Sequence, residues 1–211
     1  MVRIGSNHMA HFSEQDIRAI IRNRVDTIKS GLNLLFVGVD WKRKGGADFL
    51  RLCELLKEHG VSFHGAIAGC KPVIPSSLQQ DIDVYGFLDK GNNDDKEKID
   101  SLFRKAHFFV LPTHAECAGI VFCESSAYGL PSLAYQTGGI GSLIKDDCTG
   151  KLFSLEETSM EKWATWIEEM INHQDRYEKM CYSAYRVAKK ELFWDSIGKQ
   201  IADIIRKGVN Q

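Results

Sequence analysis

What most constrains the fold of this chain is a succession of short apolar runs alternating with stripes of helical period. Residues 32–37, 63–68, 82–87, 107–111, 131–135 and 150–153 each read as a strand, bounded by glycine, proline or a polar loop. Most of these runs are apolar or small at all but one position rather than at every second one. That predicts strands buried on both faces, the condition of a parallel sheet. Between them lie Phe49, Leu50, Leu52, Cys53, Leu55 and Leu56, a helical face stopped by Gly60. A second face, Ile99, Leu102, Phe103 and Ala106, follows a cap expected at Asp94 or Asp95. Ahead of all the strands, Ser13 stands as N-cap candidate to a stripe of Ile17, Ile20, Ile21, Val25 and Ile28.

Strands alternating with helices predict a Rossmann-like, doubly wound α/β sheet of about six parallel strands. After Thr158 the pattern becomes wholly helical, with Trp163, Trp166, Ile167 and Met170, then residues 177–190 and 197–205. The expected organisation is therefore a linker and lead-in helix over 1–31, a core over 32–155, and C-terminal helices over 156–211 packing on the same domain. Trp163, Trp166 and Trp194 read as packing residues of those helices. On such sheets ligands sit at the carboxyl ends of the strands, here the loops at Gly38, Gly69, Phe87, Pro112 and Gln136.

Composition narrows the function. The 211 residues carry a formal net charge of -1, against the basic excess of a dedicated nucleic-acid binder. Six cysteines show neither a C-x-x-C pair nor zinc spacing, and read as reduced core residues of a cytoplasmic protein. No segment approaches the roughly 20 apolar residues of a membrane span.

Two stretches carry chemistry. Gly38-Val39-Asp40-Trp41-Lys42-Arg43-Lys44-Gly45-Gly46 follows the first strong strand and opens a helix, so converging N–H groups and three cations form an anion site. It is neither the dinucleotide fingerprint nor a P-loop, which disfavours a nicotinamide dehydrogenase. The second stretch runs from 111 to 150. Glu124 lies on a short helix otherwise made of apolar or small residues, so its carboxylate must meet hydroxyls, amides or a cation, and a ribose diol would suit it. Glu116, in the loop just before, suits sugar hydroxyls, while Ala118, Gly119 and Ile120 would offer backbone N–H groups to phosphates. Gly119 permits the close approach. A glycosidase pair of carboxylates is disfavoured by the scaffold and by the helical placement of one glutamate. Gly138-Gly139 is either a further backbone donor site or a tight turn. His114 reads as a wall residue without a catalytic role.

These residues resemble the C-terminal, donor-binding domain of GT-B-fold, family 4 retaining glycosyltransferases. That family's pattern is P-S-x-x-E-x-x-G-x-x-x-x-E-A-x-A-x-G-x-P, followed by G-G and t-G. Here it stands as Pro112-Thr113, Glu116, Gly119, Glu124, Ala127, Gly129-Leu130-Pro131, Gly138-Gly139 and Thr149-Gly150. The earlier V-G-x-x-x-x-x-K-G stands as Val37-Gly38 and Lys44-Gly45.

The resemblance implies one half of a GT-B fold that binds a nucleotide-sugar donor, and it places the catalytic roles on Glu116 and Lys44. Glu116 would contact the donor hexose as a positioning and electrostatic group, Lys44 the diphosphate, and Glu124 the ribose. Gly38, Lys42, Arg43, Gly45, Ala118, Gly119 and Ile120 would line the phosphates, and the backbone around Phe87 and Leu88 would hold the base. No cofactor and no metal is implied. Val39 departs from the family's usual arginine, so Lys42 or Arg43 must supply the second cation, and Gly141-Ser142 replaces the frequent P-E. The resemblance further implies a partner N-terminal domain that binds a glycan or lipid-linked acceptor and carries any peripheral contact with the inner face of a membrane. Alone, the chain would bind donor and transfer little. The competing expectation is a non-catalytic nucleotide or sugar-phosphate binding module of the same fold.

Overall fold

The computed structural model of the chain describes residues 12–156 and 159–209. Six parallel strands form one sheet: β1 Leu32–Val37, β2 Phe63–Ala68, β3 Ile82–Gly86, β4 Phe108–Val110, β5 Ser132–Tyr135 and β6 Gly150–Phe153, in the order β3-β2-β1-β4-β5-β6. Among the described residues seven α-helices accompany them: α1 Glu14–Thr27, α2 Gly46–Glu58, α3 Asn93–Lys105, α4 Ile120–Ala127, α5 Met160–Asn172, α6 Gln174–Val187 and α7 Trp194–Val209. The expected doubly wound sheet is therefore present, each strand within about two residues of its expected span. The linker expected ahead of α1 falls on residues 1–11, outside the described residues.

Burial follows the sequence pattern. The central strand β4 is buried along its length and sends its rings to opposite faces. Phe108 meets Trp166 and Tyr177 edge-on at 5.7 and 5.2 Å, while Phe109 meets Phe103 and Phe122 at 6.1 and 5.4 Å. On the two faces, α2 packs with α5, and α1 packs with α3 and α6, with α4 also against α6. The edge strand β3 is exposed at its three middle residues, which is why its run was the least apolar.

Caps set where helices begin. Ser13 and Asp16 form a reciprocal capping box on α1. On α3 the cap is Asn92, whose side chain accepts the Asp95 N–H at 3.2 Å, rather than either expected aspartate. Arg24 on α1 is fully buried, an outcome its charge conceals in the sequence. Its guanidinium donates to the carbonyls of Tyr128, Gly129 and Phe103, each at 2.8 Å, and so caps the end of α4. Trp194, expected to pack, is instead 54% exposed, and Cys117 and Cys148 lie on the surface rather than in the core.

Candidate functional site

β1 and β4 are neighbours, and the sheet is built outward from them in opposite directions. Their carboxyl ends therefore flank the switch point of the sheet, where chain leaving one strand diverges from chain leaving the next and opens a crevice. The two loops that rise there are residues 38–45 and 111–119, the same two stretches that carried the sequence motifs.

Backbone contact locks the loops together. Gly45 has φ +74°, and a Cβ there would lie 1.9 Å from the Pro112 carbonyl oxygen, so only glycine fits. The Arg43 carbonyl accepts the His114 N–H at 3.0 Å and the Thr113 hydroxyl at 3.2 Å. Arg43 Nη1 returns the bond to the Ala115 carbonyl at 2.9 Å, while its Nε donates to Asp40 at 3.1 Å. The Arg43 guanidinium thus braces the two loops. The Lys42 side chain is exposed and its ammonium has no partner among the described residues, although its carbonyl accepts the Gly45 N–H at 3.2 Å.

This clamp brings Lys44 and Glu116 together. Lys44 Nζ donates to Glu116 Oε2, and the two side chains are only 13% and 11% exposed. Glu116 Oε1 accepts the N–H groups of Cys117 at 3.2 Å and Gly119 at 3.3 Å. Burial pushes this carboxyl up, but the Lys44 ammonium and the two amides outweigh it and hold it below its ordinary value. Lysine, glutamate and glycine amide, picked out from two distant segments, are thus one cluster. In it the Glu116 carboxylate occupies the donors an oxyanion would use.

Helix starts add to the positive potential. α2 and α4 both begin at the crevice behind a left-handed glycine, Gly45 and Gly119, with no side-chain cap. By contrast α1 and α3 are capped by Ser13 and Asn92. The backbone N–H groups of Ala118 and Ile120 have no acceptor among the described residues, which leaves them available to an anion.

Glu124 lies one turn into α4 and is 4% exposed, as its apolar neighbours implied. Its partner is Lys90, whose Nζ stands 2.5 Å from Oε1. Nothing in the sequence marked Lys90: it sits just ahead of the polar start of α3, and only the folded β3–α3 loop carries it to α4. Just before it, Phe87 is 70% exposed and Leu88 half-buried beyond the end of β3. Gly38 ends β1, its N–H bonded to the Ala68 carbonyl at 2.9 Å, and a Cβ there would press on the Lys44 side chain.

Gly138-Gly139 is a close approach. A Cβ at either position would strike the Glu116 or Cys117 carbonyl, at 1.8 and 2.5 Å, so the pair seats the turn after β5 against the loop that carries Glu116. His114 holds Asp48 at 2.7 Å through Nε2 and sets its ring edge on Tyr135, a wall residue of the crevice. Among the described residues no group of three or more His, Cys, Asp or Glu side chains is placed to hold a metal ion.

Fold and crevice define a doubly wound α/β domain with a lysine–glutamate pair and two uncapped helix starts at its switch point. Sequence comparison makes the class specific: the family described as glycosyl transferases group 1 matches residues 18–187, and the chain belongs to that family. Among curated relatives, the D-inositol 3-phosphate glycosyltransferase of Corynebacterium kroppenstedtii is 27% identical over 188 residues, which cover 83% of this chain and 41% of the relative. Among solved structures, WaaG, a glycosyltransferase involved in lipopolysaccharide biosynthesis, superposes with TM-score 0.69 at 23% identity, covering 97% of this chain and 55% of that one. Anabaena Alr3699/HepE in complex with UDP-glucose superposes with TM-score 0.67 at 15% identity, covering 93% and 54%. The chain thus matches the GT-B glycosyltransferase fold and spans about half the length of these solved proteins.

Proposed function

We propose that this chain is the donor-binding part of a nucleotide-sugar-dependent glycosyltransferase. The whole enzyme retains anomeric configuration and transfers a hexose to a glycan or lipid-linked acceptor in the making of a cell-surface polysaccharide. The observation that carries the reading is the convergence of Lys44, Glu116 and two uncapped helix starts on the switch-point crevice. Similarity to a protein solved with UDP-glucose supports a nucleoside diphosphate sugar as the ligand. Similarity to WaaG supports the polysaccharide role.

In this reading the diphosphate lies at the start of α4, taking the N–H groups of Ala118, Gly119 and Ile120 and the Lys44 ammonium. Phosphate oxygens then displace the Glu116 carboxylate from the donors it now holds. Released, Glu116 turns to the hexose hydroxyls and fixes the sugar for attack, a positioning and electrostatic role. As the acceptor hydroxyl oxygen bonds to the anomeric carbon and its proton passes to the departing phosphate, the bond to the diphosphate breaks, and Lys44 and the two helix dipoles are preorganised to meet the charge that grows there. No metal cofactor enters this reading, because lysine and the helix starts supply the compensating charge. Glu124 accepts from the ribose, and the Phe87–Leu88 segment faces the base. A further domain of similar size supplies the acceptor site and any contact with the inner face of a membrane. Such a domain accords with this chain spanning about half of its solved neighbours. Among the described residues no helix is long and apolar enough to cross a membrane.

Calorimetric titration with UDP, GDP, ADP and NAD tests the reading. One nucleoside diphosphate is expected to bind in preference to NAD, and Glu124→Ala to weaken it about tenfold or more, the worth of a charge-assisted hydrogen bond. Preference for NAD, or indifference to Glu124→Ala, contradicts it.

A further inference from the structure

We propose that Lys90 is a positioning residue of the donor site, one that fixes Glu124 so that the nucleotide's ribose hydroxyls, rather than its phosphates alone, are read. The inference rests on the donor-binding function proposed above and names the residue that sets its sugar specificity.

Three observations carry it. Glu124 is nearly sealed within α4, among buried Phe122, Cys123, Ser125 and Ser126, and a buried carboxylate without a partner costs several kcal/mol. Among the described residues the one cation bonded to it is Lys90, at 2.5 Å from Oε1, while Oε2 takes no hydrogen bond. A carboxylate pinned at one oxygen has its other oxygen fixed in direction, with lone pairs left for hydroxyl donors. Second, the backbone on either side of the lysine is held. The Asp89 N–H donates to Asp95 Oδ2 at 3.0 Å, the Gly91 N–H to Asp89 Oδ1 at 2.8 Å, and the Asn92 N–H to the Asp89 carbonyl at 3.0 Å. Lys90 therefore reaches α4 from an ordered turn, with its side chain still 56% open to solvent. Third, the position is apt. Glu124 stands four residues beyond Ile120, about 6 Å along the helix from the N–H groups offered to phosphate, a span suited to a ribose attached to that phosphate. Lys90 follows Phe87 by three residues and Leu88 by two, so one loop borders the base and sets the ribose acceptor.

A lysine that only neutralised surface charge would leave ribose recognition alone, and one that only held the fold would affect all nucleotides equally. The experiment compares affinities for UDP, GDP and ADP with those for their 2′-deoxy counterparts, in the unaltered chain, Lys90→Met and Lys90→Arg. Thermal melts accompany each variant, and Lys90→Gln replaces Lys90→Met if the latter does not fold. The unaltered chain is expected to prefer the ribonucleotide by about tenfold or more. Lys90→Met should bring that ratio towards one, mainly by weakening the ribonucleotide, and Lys90→Arg should keep it. A ratio unchanged in Lys90→Met, or an equal loss of ribo and deoxy forms, overturns the role of Lys90 while leaving donor binding in place. Absence of any ribose preference in the unaltered chain overturns the ribose reading of Glu124 and the inference with it.

Discussion

Replacing Lys44 by methionine should reverse how the stability of this protein responds to acid. In the native protein Glu116 is held below its ordinary carboxyl value, so the group contributes stability that is present above the unfolded value, near pH 4.3, and is lost as pH falls through the folded one. Of the influences on that carboxyl, burial is the largest and acts upward. Lys44 opposes it most strongly, followed by the Gly119 and Cys117 amides at 3.3 and 3.2 Å. Methionine keeps the stem and removes the ammonium, leaving burial opposed by two long hydrogen bonds. The folded-state carboxyl then rises, and its contribution is lost as pH increases rather than as it decreases. Breaking a buried pair by removing one partner costs about 3–5 kcal/mol. With the two amides retained and both side chains slightly exposed, about 2 kcal/mol at pH 7 is expected here, or a Tm lower by about 4–8 °C for a chain of this size. The assay is urea unfolding of both proteins from pH 3 to 7, read as the difference in stability at each pH so that other titrations cancel. The difference should grow steadily between about pH 4 and 6. Lys44→Met/Glu116→Gln, which removes both charges, should recover most of the loss. A difference constant with pH, or a double variant as unstable as the sum of its parts, would refute the electrostatic account of this pair.

Three further expectations follow from other contacts. Gly45→Ala combines a left-handed backbone with a Cβ 1.9 Å from the Pro112 carbonyl, so it should cost at least about 2 kcal/mol in thermal or urea unfolding and abolish nucleotide binding. Arg24→Met strips three buried carbonyls of their donor and should cost about 3–5 kcal/mol, with amide exchange accelerating first at the end of α4. His107 is held down to about 4 by burial and by the nearby Arg24 charge, its Nδ1 accepting the Asn33 N–H at 2.7 Å. The unfolded chain thus binds the extra proton first, and stability should fall as pH drops from about 6.5 towards 4. His107→Gln should flatten that limb in a pH series of melts.

Most strands were legible because burial on both faces leaves a largely apolar run, as in β1, where Asn33 alone interrupts five apolar residues. The crevice was legible for a related reason: glycines and charges are rarely placed at strand ends without a loop to use them. Pairing was not legible. Nothing in sequence spacing says that Lys44 meets Glu116 across 72 residues, because that contact depends on β1 lying beside β4. Lys90 escaped notice for the opposite reason, as a lysine amid Asp89, Asp94 and Asp95 has every appearance of a solvated charge until the loop folds towards α4. Arg24 was hidden because arginine is seldom buried, and its burial here depends on three carbonyls converging from α3 and α4. Gly138-Gly139 left two meanings open, and spacing gave no sign that both glycines seat against the Glu116 and Cys117 carbonyls. Trp194 misled in the other direction, since a large apolar residue on a helical stripe need not be covered.

The most direct test of the proposed donor crevice is amide chemical-shift mapping, titrating UDP, GDP and ADP into the isotope-labelled chain. The account predicts that the tightest-binding diphosphate produces its largest shifts at Ala118, Gly119 and Ile120, with Gly38 and Gly45 following, and releases the Cys117 and Gly119 amides from the Glu116 carboxylate. Largest shifts elsewhere, such as along β6 and α5, or saturation without change at the start of α4, would contradict it.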